Sequence, residues 1–127
     1  MLVIGDKLIP FENIFFISSI QDIKNTKANS TLIFNYDEVL LKYVSENNIS
    51  SAVIVTSIKE AIYANCLSAK YIISNQNLAK EIQKIADNYM FDSKNLAIIK
   101  SNDEFEQIAK NEIDGVIYEY LLELSDS

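Results

Sequence analysis

Short apolar runs alternate with amphipathic segments along almost the whole chain. The runs are "NIFFIS" (13–18), "TLIFNY" (31–36), "AVIVT" (52–56), "KYIIS" (70–74), "LAIIK" (96–100) and "GVIYEY" (115–120). Several are apolar at both parities, as strands covered on both faces of a parallel sheet are. The intervening segments carry helical spacing. In "QNLAKEIQKIADNYMF", Leu78, Ala79, Ile82, Ile85, Ala86, Tyr89 and Met90 predict one apolar face. Leu40, Tyr43 and Val44 repeat the pattern earlier, and Phe105, Ile108 and Ala109 later. Asp37, Ser57 with Glu60, and Ser101 with Glu104 supply helix start signals. Asn48, Asn95 and Asn111 stand near the expected stops, where Asn is the next-best residue after Gly for a left-handed turn.

Strand and helix alternate roughly every twenty residues, which predicts a parallel sheet built by right-handed crossovers. The expected fold is α/β, with an open, mostly parallel sheet of five or six strands and helices on both faces. That is a flavodoxin-like or Rossmann-like three-layer sandwich, since an eight-stranded barrel usually needs nearly twice the length. In "LVIGDKLI", Gly5-Asp6 between two apolar pieces predicts an N-terminal β-hairpin, with Pro10 breaking its second strand. The chain thus reads as a single domain over 1–127, with a hairpin appendage at 1–12 and a βα core at 13–127.

Composition narrows the function. The 127 residues carry a net charge of −7, and all eleven cations are Lys. No basic cluster exists to neutralise phosphates, so nucleic acid and anionic membranes are disfavoured as partners. There is no His, Arg or Trp and only one Cys. Histidine-based triads, histidine or multi-thiolate metal sites and bidentate arginine clamps are therefore excluded. The lone cysteine and the absence of a basic, apolar leader predict a cytoplasmic protein. No strand is followed by a glycine-rich loop, so no nucleotide cofactor is expected, and no metal.

In open parallel sheets, ligands bind outside the carboxyl ends of the strands. Those ends carry Asn35, Asp37, Thr56, Ser57, Ser74, Asn75 and Ser101, candidates for a ligand-binding rim. Helix caps call for the same residue types in the same places, so capping is the competing reading for Ser57, Asn75 and Ser101. Lys100 and Glu119 end successive strands and are the candidate catalytic pair: a desolvated lysine could form a Schiff base while the acid moves protons. The βα rhythm around "SAKYII" and "IDGVI" resembles that of aldolase-type barrels, in the generic strand pattern alone. The plainer reading makes both residues solvated strand ends. Cys66, four residues after Ile62 on a helix, reads as a core residue.

The C-terminal segment is the most apolar stretch beside a chain end. Tyr118, Tyr120, Leu121, Leu122 and Leu124 must either fold back or meet a partner, and an isologous homodimer is the expectation. The functional expectation is a binding or protein-interaction module without catalysis of its own. The alternative is a small-molecule enzyme, lyase or aldolase-like, at the strand-end rim.

Overall fold

A computed structural model describes residues 1–122. The strands are β1 (Leu2–Ile4), β2 (Ile14–Phe16), β3 (Thr31–Asn35), β4 (Ser51–Ile54), β5 (Tyr71–Ser74), β6 (Lys94–Ile99) and β7 (Gly115–Tyr118). The helices are α1 (Glu38–Glu46), α2 (Ile58–Cys66), α3 (Gln76–Tyr89) and α4 (Phe105–Lys110). Turns of 3-10 helix cover Ile20–Asn25, Asn102–Glu104 and Glu119–Leu122. All strands join one sheet in the order β1-β7-β6-β5-β4-β3-β2, and every pair is parallel. Among the described residues no helix is long and apolar enough to cross a membrane.

The α/β class and the parallel sheet are as the pattern predicts, with seven strands in place of five or six. The additional strand comes from the N-terminus, where no hairpin forms. Gly5 does turn the chain, with φ +106, but Asp6 Oδ1 accepts the Leu8 N–H at 2.8 Å and leads the chain away from β1. β1 instead pairs with β7 and β2 with β3, at opposite edges of the sheet. Residues 1–12 are thus split between an edge strand of the sheet and the loop after it. Gly115 makes room for β1: a Cβ there would lie 2.6 Å from the Leu2 carbonyl oxygen and 2.7 Å from Leu2 Cβ.

β2 to β7 follow one another across the sheet without reversal. Right-handed crossovers between strands added always in one direction all fall on the same face. Accordingly Leu32, Phe34, Val53 and Ile72 pack against Leu40, Leu41 and Val44 of α1, Ala61 and Ala64 of α2, and Ile82 of α3. Ala97, Ile99 and Val116 continue this face against Ala79 of α3 and Ile108 of α4. The opposite parity of the same strands supplies Ile33, Ala52, Tyr71, Ile73, Leu96 and Ile117. There, among the described residues, the helical cover is only the 3-10 turn Glu119–Leu122, through Leu121 and Leu122. Ile4 from β1 and Ile14 and Phe16 from β2 join this same cluster although they lie on opposite edges. The sheet is therefore curled, and its concave face packs largely on itself. The order runs as in a closed barrel, with only the β1–β2 pairing missing.

The amino end of the curl is finished by polar groups. At the amino ends, Glu12 accepts hydrogen bonds from Lys70 Nζ (2.8 Å), Thr31 Oγ1 (2.6 Å) and the Tyr71 hydroxyl (2.7 Å). Burial pushes the Glu12 carboxyl up, but the bonds from Lys70, Thr31 and Tyr71 outweigh it, and the group titrates below its ordinary range. Burial and then the Glu12 bond raise the Tyr71 phenol.

A buried polar network fixes α3 on the sheet. Asn95 Nδ2 donates to the Ala79 carbonyl (2.8 Å) and to Gln83 Oε1 (3.0 Å), while Gln83 Nε2 donates to Asp114 and Asp87. Asp114 Oδ2 in turn accepts the Asn95 N–H at 2.9 Å. Gln83 is therefore on the buried face of α3, whereas Tyr89 and Met90 are 76% and 83% exposed. Of the expected stop residues, Asn48 is left-handed (φ 55), Asn95 lies inside β6, and Glu112 (φ 58) takes the role expected of Asn111. Cys66 is exposed rather than in the core. Ile62, the marker for a buried side, is itself 43% exposed, and α2 buries Ala61 and Ala64 instead.

Two outcomes follow from this packing. Ile73 is 0% exposed at the centre of the concave cluster. Ile73→Asp is expected to cost on the order of 5 kcal/mol or more, comparable with the whole stability of a domain. Loss of the cooperative thermal transition by circular dichroism checks it. Glu12→Gln is expected to cost roughly 1–2 kcal/mol at neutral pH. Because the folded carboxyl titrates low, its contribution is complete above the ordinary glutamate range and disappears as pH falls through the folded value. Chemical denaturation should therefore show wild type and variant converging in acid.

Candidate functional site: the carboxyl-end cleft

Side-chain parity explains which residues reach the open end of the curl. Ile33, Ala52 and Leu96 point into the concave core, so Asn35, Ile54 and Ile98 follow on the same side two positions later, and Lys100 and Glu119 come just after the last paired residues of β6 and β7. These residues line a cleft of about 660 Å³ together with Tyr118, Tyr120 and Leu122. Its apolar lining is Ile54, Ile98 and Leu122. Asn35, Lys100 and Glu119 are exposed. Ile99 is paired with Tyr118, and Lys100 and Glu119 are the residues that follow, Glu119 opening the 3-10 turn. The two do not close on one another: among the described residues the one ion pair within 4.0 Å is Lys70–Glu12.

Of the expected rim, only Asn35 lines this cleft beside the pair Lys100 and Glu119. The others are engaged in local structure. Asp37 accepts the N–H groups of Val39 and Leu40, Ser57 that of Glu60, and Asn75 that of Leu78. Ser101 forms a capping box with Glu104, whose carboxylate also accepts the Lys100 N–H at 2.7 Å. Thr56 donates its N–H to Glu60 at 2.8 Å, and buried Ser74 donates to the Asn75 carbonyl. Capping thus accounts for four of the seven, Asp37, Ser57, Asn75 and Ser101, and the cleft-lining residues missing from the expected rim, Ile54, Ile98 and Leu122, are apolar. The parity of "LIFN", "AVI", "LAIIK" and "GVIYE" was the signal that could have found Ile54 and Ile98.

One wall of the cleft is latched to the turn after β1. The Tyr118 hydroxyl donates to Asp6 Oδ2 at 2.7 Å and the Tyr120 hydroxyl to the Gly5 carbonyl at 2.8 Å. The two rings stack edge to face at 6.2 Å. Leu121 and Leu122 turn inward onto the concave cluster, so this part of the C-terminal segment folds back on its own sheet. Burying a leucine this fully contributes about 2 kcal/mol. Leu124 lies outside the described residues. The Leu8 N–H and then the Tyr118 hydroxyl hold the Asp6 carboxyl below its usual range. In return, the Asp6 bond and then burial push the Tyr118 phenol up to about 12.

A second hollow, of about 630 Å³, lies at the amino ends of β3 and β4 and is lined by Glu12, Thr31, Ser50 and Lys70 among others. These four groups already bond to one another through Glu12 and the Thr31–Ser50 hydroxyl pair. The carboxyl-end cleft, with its open charged groups, is therefore the candidate site.

Fold and site together define an α/β domain with a curled, wholly parallel sheet and an apolar-floored cleft at the carboxyl ends of its strands. The sequence matches no protein-family model, and no curated protein is significantly similar to it.

The latch generates a spectroscopic expectation. A phenol whose folded pKa is raised contributes stability that is complete below the ordinary tyrosine range and is lost as pH rises through the folded value, here about 12. In an alkaline titration followed by phenolate absorbance, the difference between wild type and Tyr118→Phe should isolate this late-titrating phenol. Asp6→Asn should bring it back toward the ordinary tyrosine range. A Tyr118 that titrates with the exposed tyrosines would disprove the latch.

Proposed function

We propose that the domain is a binding module that receives a small, partly apolar ligand in the carboxyl-end cleft and performs no catalysis of its own. The observation that carries this reading is the lining: Ile54, Ile98 and Leu122 beneath, with Asn35, Lys100 and Glu119 at the mouth. Binding sites for small molecules commonly combine an apolar lining with a few placed polar groups, in clefts of roughly this size. The groups most suited to proton transfer along the rim are engaged as caps, and Lys100 is exposed rather than desolvated. The exposed free thiol of Cys66 accords with a reducing, cytoplasmic setting, which belongs to the same proposal. Among the described residues of the C-terminal segment, Tyr120 is 62% exposed and is the one most open to self-association, whereas Leu121 is partly and Leu122 largely buried within the chain.

The presence of Lys100 and Glu119 in one cleft favours a second reading, lyase or aldolase-like chemistry through a Schiff base. Two measurements separate the readings. Ile98→Trp, which fills the cleft, should abolish the amide chemical-shift changes that apolar fragments cause at Ile54 and Leu122 while leaving the thermal midpoint nearly unchanged. Borohydride reduction with a panel of small aldehydes and ketones should leave Lys100 unmodified. A stoichiometric, site-specific adduct at Lys100 would replace the binding reading with the enzymatic one.

A further inference from the structure

We infer that the ligand of this cleft is an amphipathic zwitterion, an α-amino acid with an apolar side chain. The inference rests on the binding reading above and adds the ligand's chemistry to it. Its basis is the pairing of opposite charges at the mouth of an apolar cavity. Lys100 and Glu119 directly follow the last paired residues of β6 and β7, Ile99 and Tyr118, and line one cleft. Neither forms an ion pair with the other or with any described residue. A purely cationic ligand would meet the Lys100 ammonium, and a purely anionic one the Glu119 carboxylate, so each carries a repulsive contact. A ligand bearing ammonium and carboxylate on adjacent atoms satisfies both, the carboxylate toward Lys100 and the ammonium toward Glu119. The Asn35 amide, exposed at the end of β3, offers both a donor and an acceptor at the same mouth.

The rest of the cleft selects the side chain. Ile54 and Ile98 are only partly buried by the protein's own packing, and Leu122 lies beside them. A branched aliphatic, thioether or aromatic side chain placed there removes apolar surface from water on both partners. A polar side chain would lose hydration without a partner among these three residues. The site is therefore expected to prefer leucine, methionine or phenylalanine to serine or aspartate. Sequence placed Lys100 and Glu119 at strand ends. The tertiary structure brought them into one cleft with an apolar floor.

The test uses the full chain, isotopically labelled, titrated with L-leucine, L-methionine and L-phenylalanine and followed by amide chemical shifts. For each amino acid two analogues are titrated: the acid lacking the amino group and the amine lacking the carboxylate. The expected result is binding of the amino acids with perturbations centred on Ile54, Ile98, Lys100 and Glu119, and affinity lower by about tenfold or more for each analogue. Lys100→Ala should remove the advantage of the amino acid over the amine, and Glu119→Gln its advantage over the acid. Both substitutions are at exposed positions and should leave the melting temperature nearly unchanged. Amino acids, acids and amines binding within twofold of one another would overturn the zwitterion inference while leaving the cleft as a binding site. Fragment binding blocked by Ile98→Trp, without any amino-acid binding, would do the same. No perturbation of the cleft by any apolar compound would overturn both the inference and the binding reading.

Discussion

Among the described residues the four α-helices all stand on one side of the parallel sheet, and the protein buries the opposite apolar face by bending it onto itself. Ile33, Ala52, Ile73, Leu96 and Ile117 come from five consecutive strands, and Ile4 and Phe16 close the cluster from opposite edges. The small Ala52 and the large Tyr71 are neighbours in register, one way in which unequal side chains fill a curved interior. What remains uncovered lies at the ends. Glu12 finishes the amino end through Thr31, Lys70 and Tyr71, while the carboxyl end is only partly covered by Leu121 and Leu122. The cleft is thus the unfilled remainder of the curl.

Several local features serve this arrangement from a distance. Gly115 lets β1 approach β7, and only because β1 lies there do Gly5 and Asp6 reach Tyr120 and Tyr118. That latch holds the segment from which Leu122 descends into the concave core. On the convex side, the Asn95–Gln83–Asp114 network ties α3 to β6 and to the start of β7. Buried polar networks of this kind cost stability when any member is removed, since the others are left without partners in a low-dielectric setting.

Much of the fold was legible from residue type alone, because the signals were local. β-branched runs marked every strand from β2 to β7, and the cap residues Asp37, Ser57, Asn75 and Ser101 perform the local task their types suggest. The errors arose where two distant segments compete for one. "LVIGDKLI" satisfies a hairpin by itself, yet each of its neighbouring strands gains more by pairing at an edge of the main sheet. Tyr89 and Met90 continue the period of α3, but the helix ends there with Met90 in the left-handed conformation, and Gln83 is preferred inside because Asn95 and Asp114 wait beneath it. Cys66 shared a side with Ile62, and that side faces water.

By itself the sequence determined the class of fold, the positions of strands and helices, and which chemistries lack the residues they need. These follow from periodicity, capping and composition, all properties of neighbouring residues. The strand order, the curl and the meeting of Asn35, Lys100 and Glu119 over Ile54 and Ile98 were decided only by tertiary structure. The physical reason is that a strand's two parities state which residues share a face but not which strand lies beside it. That choice depends on the summed burial of the whole sheet. A lysine and a glutamate nineteen positions apart become one charged mouth only after that sum has been made.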